Sequence, residues 1–203
     1  MARFREVMEN ADVVEEVEKF HGHMCPGVAI GIQAARLALA ELGRSSDSND
    51  VVAVVETNMC AVDGIQYLLG CTFGRGSLIH LDHGKNAYSF VRTRDGKSLR
   101  LTVREGAWQR DAEHEELLSK TRSGQATELE RVRYWELQRE VSTKIIEMTP
   151  DRIFQISYQP ISLSRPQRDM HYRRCTKCGE MTNVSRLTGA REAELCLPCS
   201  KIS

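Results

Sequence analysis

The sequence has no excess of charge of either sign, because its 28 lysines and arginines balance its 28 aspartates and glutamates. A balanced chain gives no electrostatic reason to expect a nucleic acid or an anionic membrane as partner. The longest mostly apolar run, Val28 to Leu42, is interrupted by charged residues and is too short to span a bilayer. The N-terminus lacks a positive segment followed by an apolar core, so we expect a cytoplasmic protein.

Cysteine is absent from residues 72–174, although the chain has seven cysteines. Those present form one group in the first third of the chain and another at its end: Cys25, Cys60 and Cys71, then Cys175, Cys178, Cys196 and Cys199. In a chain without a secretory signal, such cysteines are metal ligands or reactive thiols more often than disulfide partners. Their spacing does not match an iron–sulfur ferredoxin. The split therefore predicts two separate roles.

The pattern of apolar residues predicts a mixed α+β core. Helical spacing predicts an amphipathic helix that ends at His21 and a buried helix that ends at Gly43. The other predicted elements are a polar turn at 44–50, an interior strand at 51–56, a helix at 60–69, a glycine-rich turn at 71–77, strands at 78–82, 87–93, 98–104 and 153–159, and two helices within 111–148. We expect a core domain with a sheet and packed helices over residues 1–165, followed by a small module over 166–203.

The C-terminal module is predicted to be a structural zinc site. Cys175-x-x-Cys178 and Cys196-x-x-Cys199 are separated by a spacing typical of zinc fingers, and four thiolates make a closed tetrahedral shell. So short a segment buries too little apolar surface to fold alone, so the metal must supply folding energy. The alternatives are two redox pairs or cysteines that share this spacing by chance.

The densest group of metal-binding side chains is the heptad His21-Gly22-His23-Met24-Cys25-Pro26-Gly27. Imidazole and thiolate together favour zinc or another late transition metal. Pro26 suits a first helical turn, so Cys25 is expected beside a helix N-terminus, where the dipole would lower the pKa of its thiol. The alternative is a loop with solvated histidines and a cysteine that acts as a small buried hydrophobe.

A second thiol follows the predicted interior strand. Cys60 precedes a short helix, and Asp63 and Gln66 lie further along a similar face of that helix. If this loop faces the His21–Cys25 loop, the two loops form a mixed nitrogen and sulfur site with room for water or substrate. Asp63 is alternatively a partner of the helix dipole, and Cys71 is alternatively a buried residue.

Together these motifs resemble FmdE, a family named after formylmethanofuran dehydrogenase. The resemblance rests on the heptad, on Cys60-x-x-Asp63-x-x-Gln66, on Gly70 to Gly76, and on Asp82 to Ala87, which resembles the family's usual Asp-Tyr-Gly-Lys motif. The four-cysteine tail resembles the treble-clef zinc finger that some members append. Arg75 stands where a lysine is expected, so the charge is kept but amine chemistry is not.

The resemblance implies a homodimeric α+β protein with a metal-associated pocket. It implies metal ligands among His21, His23, Cys25 and Cys60, a catalytic role for Cys25, Cys60 or Asp63, and cofactor contacts from Gln66, Cys71 and Arg75. The expected cofactors are a structural zinc in the tail and a second transition metal, zinc or iron, in the core. The family takes its name from a methanogenesis-related molybdenum or tungsten enzyme whose redox chemistry resides in other subunits.

Three functions are consistent with these residues. The first is a metal-binding accessory or metal-handling protein that contacts subunits of molybdenum or tungsten oxidoreductases. The second is an independent metalloenzyme that uses the core metal as a Lewis acid. The third is a metal-sensing regulator whose zinc finger contacts a partner, although the neutral net charge argues against nucleic acid.

Overall fold

The computed structural model describes residues 11–43, 50–161, 169–190 and 193–201. The chain divides into two compact units, Met1–Arg165 and Pro166–Ser203. The predicted turn over 44–50, except its last residue, and the linker around residue 165 lie outside the described residues. None of the helices in the described part combines the length and the apolar character needed to cross a bilayer.

A five-stranded sheet in the order β2-β1-β3-β4-β5 forms one layer of the first unit. The strands are β1 (Val51–Val55), β2 (Leu78–His80), β3 (Ala87–Arg92), β4 (Ser98–Val103) and β5 (Phe154–Ser157). β1 and β2 run parallel, and the other neighbouring pairs run antiparallel. The predicted strands are confirmed, including the interior position of β1, which lies between β2 and β3.

Six helices are described in the first unit: α1 (Ala11–His21), α2 (Pro26–Leu42), α3 (Ala61–Leu69), α4 (Ala112–Arg122), α5 (Glu128–Glu147) and α6 (Pro150–Ile153). All but α6 were predicted. The break between α4 and α5 contains Gly124 at φ 71°, and Thr127 then begins α5 through a capping box with Glu130. α6 is a single turn that starts at Pro150 and leads directly into β5.

α2 is the centre of the core because it is apolar on most of its surface. Ala34, Ala38 and Leu42 of α2 share a buried cluster with the inward face of the sheet, to which Val55 and Phe90 belong. The helix also packs against α1, α3 and α5. A helix that is hydrophobic almost all round is stable only when it is enclosed in this way.

The contact between α2 and α3 is close enough to exclude a side chain. A Cβ atom on Gly31 would lie 2.1 Å from the carbonyl oxygen of Ala61, and one on Gly64 would lie 2.9 Å from the backbone nitrogen of Ile32. Glycine weakens a helix interior, so its presence at both contact points has a packing cause. The close approach holds the N-terminal ends of the two helices together.

The described part of the second unit contains two antiparallel strand pairs, a short 3-10 helix (Val184–Arg186) and a short α-helix. Its elements are β6 (Tyr172–Arg174), β7 (Met181–Asn183), β8 (Leu187–Thr188), β9 (Leu195–Cys196) and α7 (Leu197–Ser200). The first cysteine pair follows β6, and the second pair begins at β9 and continues into α7. This layout fits a treble-clef zinc finger, and the predicted α+β class with a small C-terminal module is confirmed.

Candidate metal centre

Cys25 lies at the N-cap of α2, as the position of Pro26 predicts. Its backbone is extended, with φ −145° and ψ 162°, and Pro26 occupies the first turn of the helix. Proline is favoured there because its missing N–H is one that the helix would leave unpaired. The Cys25 side chain is 6% exposed, so its sulfur lies in a buried site.

Cys60 occupies the corresponding position at the start of α3. β1 delivers the chain to this point, and Cys60 is the N-cap residue of a helix that ends at Gly70 with φ 65°. The close crossing of the helices brings the two cysteines together. A Cβ atom on Gly27 would lie 3.0 Å from the Cys60 Cβ and 3.7 Å from the Cys25 Sγ.

His21 reaches the same place from the last turn of α1. Its Nδ1 lies 2.6 Å from the Oδ2 of Asp63, on the first turn of α3. Its Nε2 is buried and has no hydrogen-bond partner among the residues that the structure describes. A buried nitrogen without a partner is costly, so the free Nε2 is a position where a ligand belongs. The carboxylate on Nδ1 is the arrangement by which proteins orient histidines that bind metals.

The ligand atoms of His21, Cys25 and Cys60 lie within 4.8 Å of one another. Such a group of one imidazole and two thiols fits a late transition metal. The free Nε2 of His21 also indicates that an ion binds at this place. Among the described residues no fourth histidine, cysteine or carboxylate belongs to this group. Three protein ligands are typical of zinc sites that keep one coordination position open.

The two thiols differ in acidity. The pKa of Cys60 is lowered to about 5, chiefly because the Cys25 thiol donates a hydrogen bond to it, and the histidine charges act in the same direction. The pKa of Cys25 is raised by this hydrogen-bonded pairing with Cys60 and by burial. The backbone N–H groups of Val28 and Gly27 at the start of the helix lower the pKa of Cys25, as its position predicts, but the pairing with Cys60 and the burial outweigh them. Cys60 is the thiol that ionises first.

His23 is not a member of the three-residue group. Its ring lies 4.5 Å from the His21 ring and 5.0 Å from the Trp135 ring, measured between centroids. Trp135 lies on α5, and no motif in the sequence connects this tryptophan to the heptad. Tertiary packing alone brings them together, so Trp135 is a neighbour of the site that the sequence analysis missed.

Cys71 and Arg75, two of the predicted cofactor contacts, make contacts within the local structure. The Cys71 thiol is 1% exposed and lies 3.5 Å from the carbonyl oxygen of Val51, within the main core cluster. Arg75 donates through Nη1 to the Gly70 carbonyl oxygen at 2.9 Å, which stabilises the glycine-rich turn. Gln66 is half-buried on α3, where its carbonyl oxygen accepts from the Gly70 N–H. A cofactor-binding role for these three residues stays a prediction.

The C-terminal cysteines form a second group. The four sulfurs of Cys175, Cys178, Cys196 and Cys199 lie within 4.8 Å of one another. The pKa of Cys175 is lowered to about 6, first by the backbone N–H of Cys178 and next by that of Cys196. Gly179, with φ 77°, allows the turn after the first pair. Four thiol ligands form a closed shell, so this group differs from the core group in having no open position.

Comparison with known proteins identifies relatives of both units. The family model FmdE, described as "Molybdenum formylmethanofuran dehydrogenase operon", matches residues 20–155. A curated protein of Archaeoglobus fulgidus, named a probable S-adenosyl-L-methionine-binding protein, is 34% identical over 194 residues. That alignment covers 90% of this chain but 51% of the relative, so the chain spans about half the length of the relative.

A solved structure has the same fold. It is an FmdE-like protein from Syntrophus aciditrophicus, named for a tungsten formylmethanofuran dehydrogenase, with a TM-score of 0.58 and 24% sequence identity. The alignment covers 93% of this chain and 90% of that chain. At this level of identity the similarity shows the fold.

Proposed function

This chain belongs to the FmdE family, and we propose that it binds two metal ions, a zinc in the C-terminal module and a zinc or iron in the core. The observation that carries the proposal is the convergence of the ligand atoms of His21, Cys25 and Cys60 within 4.8 Å. The buried Nε2 has no other partner among the described groups. The donor set matches a metal that prefers nitrogen and sulfur ligands.

The core site is proposed to be a reactive centre, since three protein ligands leave one position for an exogenous molecule. A metal with an open position acts as a Lewis acid toward a bound oxygen or nitrogen atom. Cys60 ionises most readily and supplies a thiolate, and Cys25 supplies the second sulfur from a buried position. Asp63 holds the His21 ring in the orientation that directs Nε2 into the site.

Metal analysis tests this proposal directly. We expect two equivalents of metal in the full chain, one after Cys60→Ser, and one after Cys196→Ser. Cobalt substitution distinguishes the sites, because a centre with one nitrogen and two sulfur ligands differs in its d–d absorption from a four-sulfur centre. Added imidazole should perturb the core bands alone, since the four-cysteine shell has no open position. A full chain that binds only one equivalent, and keeps it in Cys60→Ser, would contradict the core site.

An accessory role is the second candidate. The family description refers to a molybdenum formylmethanofuran dehydrogenase operon, and the structural neighbour is named for a tungsten formylmethanofuran dehydrogenase. A three-ligand site also releases metal more readily than a closed shell, which suits metal handling. Transfer of the core metal to an apo oxidoreductase faster than to a chelator of equal affinity would support this role. The homodimer implied by the family is part of this proposal and is checked by light scattering.

S-adenosyl-L-methionine is a further ligand to test, because the curated relative is named for it. Half of that relative lies outside the alignment, so its ligand belongs either to the shared region or to the remainder. Equilibrium dialysis of this chain with the labelled compound distinguishes the two. Binding to this chain would assign the ligand to the shared region.

A further inference from the structure

A cavity of about 430 Å³ lies beside the core group, between α5 and the loop that follows α1. Its lining includes the imidazole of His23 and the apolar side chains of Met24, Val132 and Trp135. Trp135 is 44% exposed and Val132 is 51% exposed, although both are residues that usually pack inside. The volume is within the range of sites for small molecules, about 300–1,000 Å³.

Trp135 meets two aromatic rings in a corner rather than a closed stack, and of the three rings Tyr134 is buried and does not line the cavity. His23 and Tyr134 both meet Trp135 at an interplanar angle of 63°, with centroids 5.0 Å from the Trp135 centroid. Neither contact is a parallel stack, so the indole retains surface for a further ring. Aromatic rings attract one another in offset-stacked and edge-to-face arrangements. The corner is therefore suited to a planar molecule.

The rim of the cavity is polar and supplies both donors and acceptors. Arg139 donates to the Glu18 carboxylate through both terminal nitrogens, and Glu136 lies beside this pair. Carboxylates accept hydrogen bonds and a guanidinium donates them. A heteroaromatic ring presents both ring nitrogens and N–H groups along its edge, whereas a hydrocarbon ring presents neither. The rim consequently selects a heterocycle.

We propose that this cavity binds a planar heteroaromatic molecule that stacks on Trp135 and places its polar edge at the Glu18–Arg139 pair. The proposal rests on the proposed function in one respect, because the bound molecule is expected to influence the core metal through His23. The His23 ring adjoins both Trp135 and the metal ligand His21. A molecule in the cavity is thus separated from the His21 ring by the His23 side chain.

Tryptophan fluorescence tests the binding without any metal. The chain has two tryptophans, so Trp108→Phe leaves Trp135 as the only indole. The probes are a purine, a pyridine and a pteridine: adenosine, nicotinamide and pterin, with ribose as a non-aromatic control. We expect at least one heterocycle to quench Trp135 saturably, and ribose to have no effect.

Calorimetry on variants then locates the site. Trp135→Leu should weaken the binding of the responding probe by about tenfold or more, in line with stacking on an aromatic side chain. Trp135→Phe should retain most of the affinity. Leu129→Ala is the matched control, since Leu129 lies on the same helix at 81% exposure and does not line this cavity. Circular dichroism checks that each variant is folded.

The failures of the two proposals are distinguishable. The absence of quenching by every heterocycle at millimolar concentration would overturn the cavity proposal, as would unchanged affinity in Trp135→Leu. Quenching in a protein whose core binds no cobalt would retain the ligand site and reject the proposed metal centre. If cobalt is bound but its spectrum does not change when the probe saturates, the inferred influence on the core metal is rejected.

Discussion

The contact between Gly31 and Ala61 offers a direct test of how the fold assembles the metal centre. Gly31→Ala adds one methyl group at a point where its carbon would lie 2.1 Å from the Ala61 carbonyl oxygen. Non-bonded carbon and oxygen atoms do not approach much closer than about 3.3 Å, so α2 and α3 must separate by about 1 Å. Both partners are parts of helices, and neither yields as a flexible side chain would.

Two opposing effects determine the stability of this variant. Replacing glycine by alanine in a helix interior favours the helix by about 1 kcal/mol. Overpacking a well-packed core costs about 1–3 kcal/mol, and a clash with backbone falls at the upper end of that range. We therefore expect the free energy of unfolding to fall by about 1–2 kcal/mol. Urea unfolding followed by far-UV circular dichroism reports on the first unit, which holds the long helices.

The effect on metal binding should be larger than the effect on stability. Metal–ligand distances tolerate deviations of about 0.2 Å, whereas the expected displacement of α3 is about 1 Å. Cys60 and Asp63 both move with α3, so the core affinity for cobalt should fall by more than about tenfold while the four-cysteine site is unaffected. Ala40→Gly, at an exposed position of α2, is the control: it lowers helix propensity and should leave metal binding unchanged. If Gly31→Ala stabilises the protein and binds cobalt normally, the close helix contact is refuted.

Three further outcomes are expected. Asp63→Ala should weaken the core metal affinity by about 10–100-fold because His21 loses its orienting carboxylate, as measured by chelator competition, and Asp63→Asn should restore part of it. Gln33→Leu should lower the free energy of unfolding by about 1–3 kcal/mol in urea, because the Gln33 amide donates to three carbonyl oxygens at and just beyond the end of α5. Burial alone would raise the pKa of Glu56, but its hydrogen bonds with Arg100 and His83 lower that pKa below its ordinary value. The Glu56 carboxylate therefore stabilises the folded state above the unfolded pKa, and this stabilisation is lost as the pH falls. The stability difference between wild type and Arg100→Gln should accordingly be largest near neutral pH and shrink below about pH 4.

The sequence was sufficient to predict the elements whose signals are local. The helix that ends at Gly43 and the strand that begins at Val51 each have a hydrophobic pattern of one period with a clear boundary. Cys25 could be placed at a helix N-terminus because Pro26 follows it. The four-cysteine module was predictable for the same reason, since its ligand spacing specifies a zinc-finger geometry without reference to the rest of the fold.

Tertiary packing determined the features that the sequence did not predict. Nothing in the spacing of the heptad indicates that His23 turns toward Trp135 while His21 turns toward Cys60. The opposite shifts of the Cys25 and Cys60 pKa values likewise arise from their mutual hydrogen bond and from burial. These are long-range effects, so no pattern within one segment carries them.

Both cysteine groups offer thiol ligands, but the two units that contain them differ in what keeps them folded. In the C-terminal module the four thiols could hold a metal ion without any other ligand, and we expect a unit this small to depend on that metal for its stability. In the first unit a hydrophobic core already fixes α2 and α3, so the fold does not need a metal to bring Cys25 and Cys60 together. A site held by the scaffold can leave its fourth position open without losing its geometry. Chelation should therefore unfold the second unit and leave the helical circular dichroism of the first unit unchanged.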